Sequence, residues 1–150
     1  MQKILLALFL SLSLLSVGTL VADTEFAEPK PSIDNPRKFI FPITEWNLNE
    51  VNHVLSSANN VMKFYGPENT EVVIVAYSQG INALLKNRNI AIRKRVEALL
   101  TYDVEFIACG NTMRTLNIKE KNLIDGVEVV TAGIVELIER QLRGYIYIRP

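Results

Sequence analysis

Cysteine and histidine each occur once in this chain, and those counts bound its chemistry. A single thiol closes no disulfide within the chain, and one Cys with one His assembles no zinc site, so neither metal nor other cofactor is expected. The reactive candidate is the sulfur of Cys109, within Phe106-Ile107-Ala108-Cys109-Gly110-Asn111-Thr112-Met113. It closes an apolar run that reads as a strand and precedes a helix predicted to start near Thr112. Ligands in open α/β sheets bind at that carboxyl edge. A helix N-terminus there lowers a thiol pKa and favours thiolate, and Arg114 is a nearby cation that adds to the effect. The competing reading is a small buried hydrophobe closing a strand. Asn111 and Thr112 suit helix capping, with a second possible role in holding a ligand or sulfur anion beside Cys109.

A second nucleophile motif is a decoy. Ala76-Tyr77-Ser78-Gln79-Gly80 follows an apolar run and resembles a hydrolase nucleophile elbow with Ala for its first Gly. That fold supplies the base as a His after the Ser, whereas the chain's His53 precedes Ser78 and falls on the polar side of a predicted helix. Serine hydrolysis is therefore excluded. The turn reading gives Gly80 the role of permissive backbone. No Gly-rich phosphate loop follows any predicted strand.

The chain has 150 residues, enough for one domain with its own core. Sixteen Lys plus Arg balance sixteen Asp plus Glu, and a neutral total argues against nucleic acid as partner. Lys86, Arg88, Arg93, Lys94 and Arg95 form a local basic run. It reads as a solvated helix face, the alternative being a surface for an anionic partner or lipid headgroups. Trp46 and Phe64 read as core or subunit-interface aromatics.

The elements that position these residues follow from periodicity. Lys38–Ile43 reads as a first strand, with Pro42 at its end or on an edge because it lacks a ladder donor. Asn47 and Glu50 have capping-box spacing and open a helix to about Tyr65, stopped by Gly66. Leu48, Val51, Leu55, Ala58, Met62 and Tyr65 form its apolar stripe. Glu71–Tyr77 is a continuous apolar run, the mark of a strand covered on both faces. A short helical or loop segment (81–85), a basic helix (90–100), a strand (102–109) and a strand over Gly126–Thr131 follow. A helix over Ala132–Arg143 is expected to turn Ile134, Val135, Ile138 and Leu142 inward. Glu136–Arg140 and Glu139–Arg143 would pair along it. Tyr145–Arg149 is a terminal strand. Strands alternating with helices give an α/β fold: three layers around a mostly parallel, five-stranded, Rossmann-like sheet.

The first residues differ from the rest. A charged start (Met1-Gln2-Lys3), an apolar run from Ile4 to Val21 and then Ala22-Asp23 have the order of a secretory signal, residues 1–22, cleaved after Ala22. The alternative is an uncleaved membrane anchor. Residues 23–36, with three prolines, read as a flexible linker to a domain at 37–150. The expected location is periplasmic or otherwise exported, with membrane contact only through an uncleaved leader.

The run Ala108-Cys109-Gly110-Asn111-Thr112-Met113, the segment Gly126-Val127-Glu128-Val129-Val130 and the tail from Gly133-Ile134-Val135-Glu136-Leu137-Ile138 through Tyr147-Ile148-Arg149-Pro150 occur in order. Together they resemble the DsrE/DsrF-like family of small sulfur-relay proteins, over roughly Lys38 to the C-terminus. The resemblance implies a Rossmann-like parallel sheet and homo-oligomers, often trimers or hexamers. It implies that Cys109 matches a cysteine that accepts a persulfide from a sulfur-donor protein and passes it to an acceptor. It also sets the Tyr77–Gly80 turn beside that cysteine. Tyr77, Ser78 and Gly80 are then expected on the ligand side with Asn111, Thr112 and Arg114. A non-catalytic, homo-oligomeric binding module with a structural Cys109 is the alternative.

Overall fold

A computed structural model describes residues 22–150; the leader read over residues 1–22 lies, but for Ala22, outside the described residues. Five strands form one parallel sheet: β1 (Arg37–Ile43), β2 (Thr70–Ala76), β3 (Glu105–Cys109), β4 (Glu128–Val130) and β5 (Ile146–Tyr147). Their order is β4-β3-β2-β1-β5, and every pairing is parallel. Four helices connect them: α1 (Leu48–Tyr65), α2 (Ile90–Leu100), α3 (Gly110–Thr115) and α4 (Gly133–Leu142). No helix among the described residues is long and apolar enough to cross a membrane.

The connection order dictates the layers. From β1 to β4 the chain steps across the sheet in one direction, so right-handed crossovers carry α1, α2 and α3 onto one face. β5 lies beyond β1, and the return from β4 therefore takes α4 over the opposite face. The core divides accordingly. Phe39, Phe41, Ile74, Phe106 and Ala108 pack under α1 and α2 in the larger cluster. Ile40, Val73, Val75 and Ile107 meet Leu137 of α4 and Tyr145 in the smaller one. Two-sided cover explains the unbroken apolar runs of β2 and β3.

Local signals act as the chemistry requires. The Asn47 side chain accepts hydrogen bonds from the N–H groups of Asn49 and Glu50, at 2.9 and 3.3 Å. Gly66 ends α1 at φ 91°, a backbone state that glycine adopts without steric cost. Pro42 stands near the end of β1, where β5 no longer pairs, so its missing donor leaves no gap in the ladder. Residues 23–36 make specific contacts. Phe26 packs on Phe64 and Tyr65 with ring centroids 5.3 and 5.6 Å away, and the Arg37 guanidinium donates to the Ala27 carbonyl.

Four sequence expectations need correction. The first is the inward face of α4. Gly133 and Leu137 are its buried residues, while Ile134, Val135, Ile138 and Leu142 are 50–77% exposed. The cause is Arg140, which turns to the sheet because carboxylates wait for it there. Second, Glu139 and Arg143 do not pair through their side chains; Arg143 reaches the Glu139 carbonyl and approaches Glu136. Third, α3 starts at Gly110 with Cys109 as its N-cap residue, so Asn111 and Thr112 lie inside the first turn. Fourth, strands β3, β4 and β5 are shorter than their apolar runs. Tyr102–Asp103 is a turn, and Asp103 adopts φ 60°.

Candidate functional site

Cys109 ends β3 at the carboxyl edge of the sheet, on the α4 face. It is 6% exposed. Directly over it stands the first residue of α4. A Cβ added to Gly133 would lie 3.1 Å from both Cys109 Cβ and Val75 Cγ1 and 3.6 Å from Tyr77 Cβ. A side chain there would push the helix start and the cysteine apart by a few tenths of an ångström. As the first residue of α4, Gly133 has an N–H with no partner inside the helix, and that group is among those that lower the Cys109 pKa.

The electrostatics follow from these contacts. Burial pushes the Cys109 thiol up. Hydrogen bonds from the Gly133 N–H, the Thr112 hydroxyl and the N–H groups of Thr112 and Asn111 outweigh it, leaving the thiol below its ordinary value. The Thr112 hydroxyl is aimed by its other neighbour: its oxygen accepts from the Ser78 N–H at 3.1 Å, so its proton is free to point at sulfur. Ser78 holds φ 50°, an uncommon value for a residue with a Cβ.

The expected site residues are thus partly gathered. Tyr77 borders Cys109, and its phenol pKa is raised by burial and by nearby Tyr147, against the lowering effect of Arg149. Ser78, Asn111 and Thr112 line an open cavity of about 350 Å³ with Gln79, Thr115 and Leu116. Cys109 is not among its lining residues; Asn111 and Thr112 are shared by the cavity and the surroundings of the sulfur. Gly80 serves the backbone rather than a ligand. A Cβ there would meet the Ile43 carbonyl oxygen at 2.0 Å, and the positive φ of the turn falls on Ser78. Arg114 donates to Asn111 Oδ1 instead of facing the sulfur. His53 is exposed on α1, and among the described residues no side chain hydrogen-bonds the Ser78 hydroxyl.

Lys86, Arg88, Arg93 and Arg95 of the basic run are engaged in structural contacts. Lys86 pairs with Asp125 at 2.8 Å, Arg93 with Glu97 at 3.5 Å, and Arg95 bonds Asn52 and Ser56. Arg88 lies over the Trp46 ring, 5.5 Å from its centroid.

Gly133 is the functional residue the sequence reading missed. Its available signal was a glycine at the first helical position directly after a strand, where close approach is a common reason for glycine.

A model of the DsrE/DsrF-like family matches residues 47–150, and the chain belongs to that family. Among solved structures, it is similar to the protein of unknown function MTH1491 from Methanobacterium thermoautotrophicum, with 32% identity and a TM-score of 0.72, over 76% of this chain and 99% of that one. It also shares its fold with the ychN protein of E. coli, at 20% identity and a TM-score of 0.63, over 74% and 96% of the two chains. No curated protein sequence matches the chain. The family is associated with sulfur relay.

Proposed function

We propose that this protein is an exported sulfur carrier or thiol sensor in which Cys109 accepts a sulfane sulfur. The observation that carries the reading is the cradle around one sulfur. The Gly133 N–H from α4, together with the hydroxyl and N–H of Thr112, favours the thiolate at the carboxyl edge of the sheet. The thiolate attacks the outer sulfur of a donor persulfide, R–S–SH. A bond forms between Cys109 Sγ and that sulfur, the inner S–S bond breaks, and R–S⁻ leaves. Cys109 then carries –S–SH. An acceptor thiolate attacks the same outer sulfur, takes it as a new persulfide and releases the Cys109 thiolate, so no external oxidant or reductant is consumed. The composition of the leader supports export, and the exposed aliphatic row of α4 supports association with further copies of the chain.

Incubation with a low-molecular-weight persulfide followed by mass spectrometry of the intact protein tests the transfer. One added sulfur on the native protein and none on Cys109→Ser is the expected result. Absence of the adduct with both small-molecule and protein-bound donors rejects it. The second reading is a non-catalytic binding module with a packing cysteine, favoured by the low exposure of Cys109. Resistance of Cys109 to alkylation in the folded protein at alkaline pH, together with no sulfur uptake, selects that reading.

A further inference from the structure

We infer that Arg140 is a positioning residue for Cys109: clamped between carboxylates at the amino end of the sheet, it fixes α4 lengthwise so that Gly133, at the helix start, stays seated against Cys109 at the other end. This inference rests on the proposed importance of the Cys109 thiolate, but it concerns how that state is held.

The apolar anchorage of α4 is thin. Within the helix only Gly133 and Leu137 are buried, and four aliphatic side chains are half exposed or more. Hydrophobic burial is non-directional, so one buried leucine does not decide how far the helix slides along its axis. Arg140 supplies the missing direction. Its guanidinium donates to both carboxylate oxygens of Glu105, at 3.1 and 2.5 Å, while its Nε donates to Glu136 at 2.6 Å. Its Nη1 also reaches the Tyr145 hydroxyl at 3.1 Å. That hydroxyl donates to Glu71 at 2.6 Å, and Glu71 pairs with Lys38 at 3.2 Å. A bidentate arginine fork fixes geometry as well as charge.

Glu105 and Cys109 are the two ends of the same strand, β3. Four strand steps span about 13 Å, and the seven helical steps from Gly133 to Arg140 span about 10.5 Å, the side chain closing the difference. β3 therefore acts as a ruler gripped by α4 at both ends. A slide of one residue along the helix is about 1.5 Å, enough to lift Gly133 off its close seat against Cys109. The charged and titratable groups near Cys109 do not replace this seat. Tyr77 is the neighbouring titratable group just past the end of β2, Arg114 on α3 is turned to Asn111, and Glu136 on α4 is turned to Arg140. The residues of β4 and its exit that flank the end of β3, Val130 and Thr131, carry no charge.

The test titrates the Cys109 thiolate by its ultraviolet absorbance, taken as the difference from Cys109→Ser, in the full chain without any sulfur donor. Arg140→Met is expected to move the midpoint up by about half a pH unit or more. That variant also unmasks two carboxylates, which by charge alone would move the midpoint the same way. Glu105→Leu separates the causes. It breaks the clamp and removes a negative charge, so charge alone predicts a fall while loss of the seat predicts a rise. A rise in Glu105→Leu, with partial recovery in Arg140→Lys relative to Arg140→Met, supports the inference. A fall or no change in Glu105→Leu overturns it, as does an equal rise in Val51→Ala, a core truncation on the far face. If Arg140→Met does not fold, Glu105→Leu alone decides. Sulfur uptake plays no part in this readout, so failure of the transfer reading leaves it standing, and the converse holds.

Discussion

The two faces of the sheet are built by different means. Under α1 and α2 the cover is apolar and deep: Phe41, Leu55, Ile74 and Phe106 are all fully buried there. On the opposite face one ten-residue helix lies across the sheet, contributing one buried leucine and an arginine network. The first face stores stability. The second aims a helix start at a sulfur. Directional polar contacts suit the second task, because sub-ångström placement of an N–H cannot come from burial alone.

Truncation at equivalent depth on the two faces should expose that difference. Phe106→Ala empties a fully buried site in the larger cluster and is expected to cost about 4 kcal/mol. Leu137→Ala removes a buried side chain from a thin layer whose one helix settles into the gap, and about 2 kcal/mol is expected, the low end of such losses. Urea unfolding of both variants measures the two values. Equal losses would erase the distinction between a packed face and a positioned one.

This difference also explains what was legible in the sequence. Elements built by burial announce themselves locally. The unbroken runs Val72-Val73-Ile74-Val75-Ala76 and Phe106-Ile107-Ala108, and the Asn47 and Gly66 stops of α1, fix strands β2 and β3 and the longest helix. The orientation of α4 was not legible. Its Ile134, Ile138 and Leu142 row has a regular core-facing period, and nothing local marks Arg140 as the side chain that turns inward. The reason lies 35 residues earlier at Glu105, and Tyr145 finds its acceptor 74 residues earlier at Glu71. The candidate site divides the same way. Cys109, Thr112 and the Tyr77–Ser78 turn are local to strand ends, whereas the closeness of Gly133 to sulfur exists only once β3 and α4 are stacked.

The polar network carries its own pH signature. Burial, followed by the hydrogen bond to Glu71, raises the Tyr145 phenol from its ordinary value near 10 to about 12, against the lowering effect of Arg140. A folded-state pKa above the unfolded one means stability that is fully present below about pH 10 and lost as pH rises through about 12. The contribution is on the order of 2 kcal/mol. Stability of the native protein should therefore fall more steeply over that interval than stability of Tyr145→Phe, in urea titrations at successive pH values. Parallel curves would show that the hydroxyl does not depend on the folded network.

The smallest effect in the isolated chain concerns the exposed row. Leu142 is 77% exposed and Ile138 50% exposed, so Leu142→Ser removes little apolar surface that folding of one copy hides. At high dilution its unfolding free energy should lie within about 0.5 kcal/mol of native. Proposed self-association makes a sharper demand. If copies cover this row, the unfolding midpoint of the native protein rises with concentration, because association withdraws folded chains from the equilibrium. Leu142→Ser, and more fully Leu142→Ser with Ile138→Ser, should flatten that dependence while the dilute limit stays put. Sedimentation across the same concentrations supplies the independent check. A native midpoint that ignores concentration, with one sedimenting species of monomer mass, would mean that the second face is completed within a single chain and that its aliphatic row meets only water.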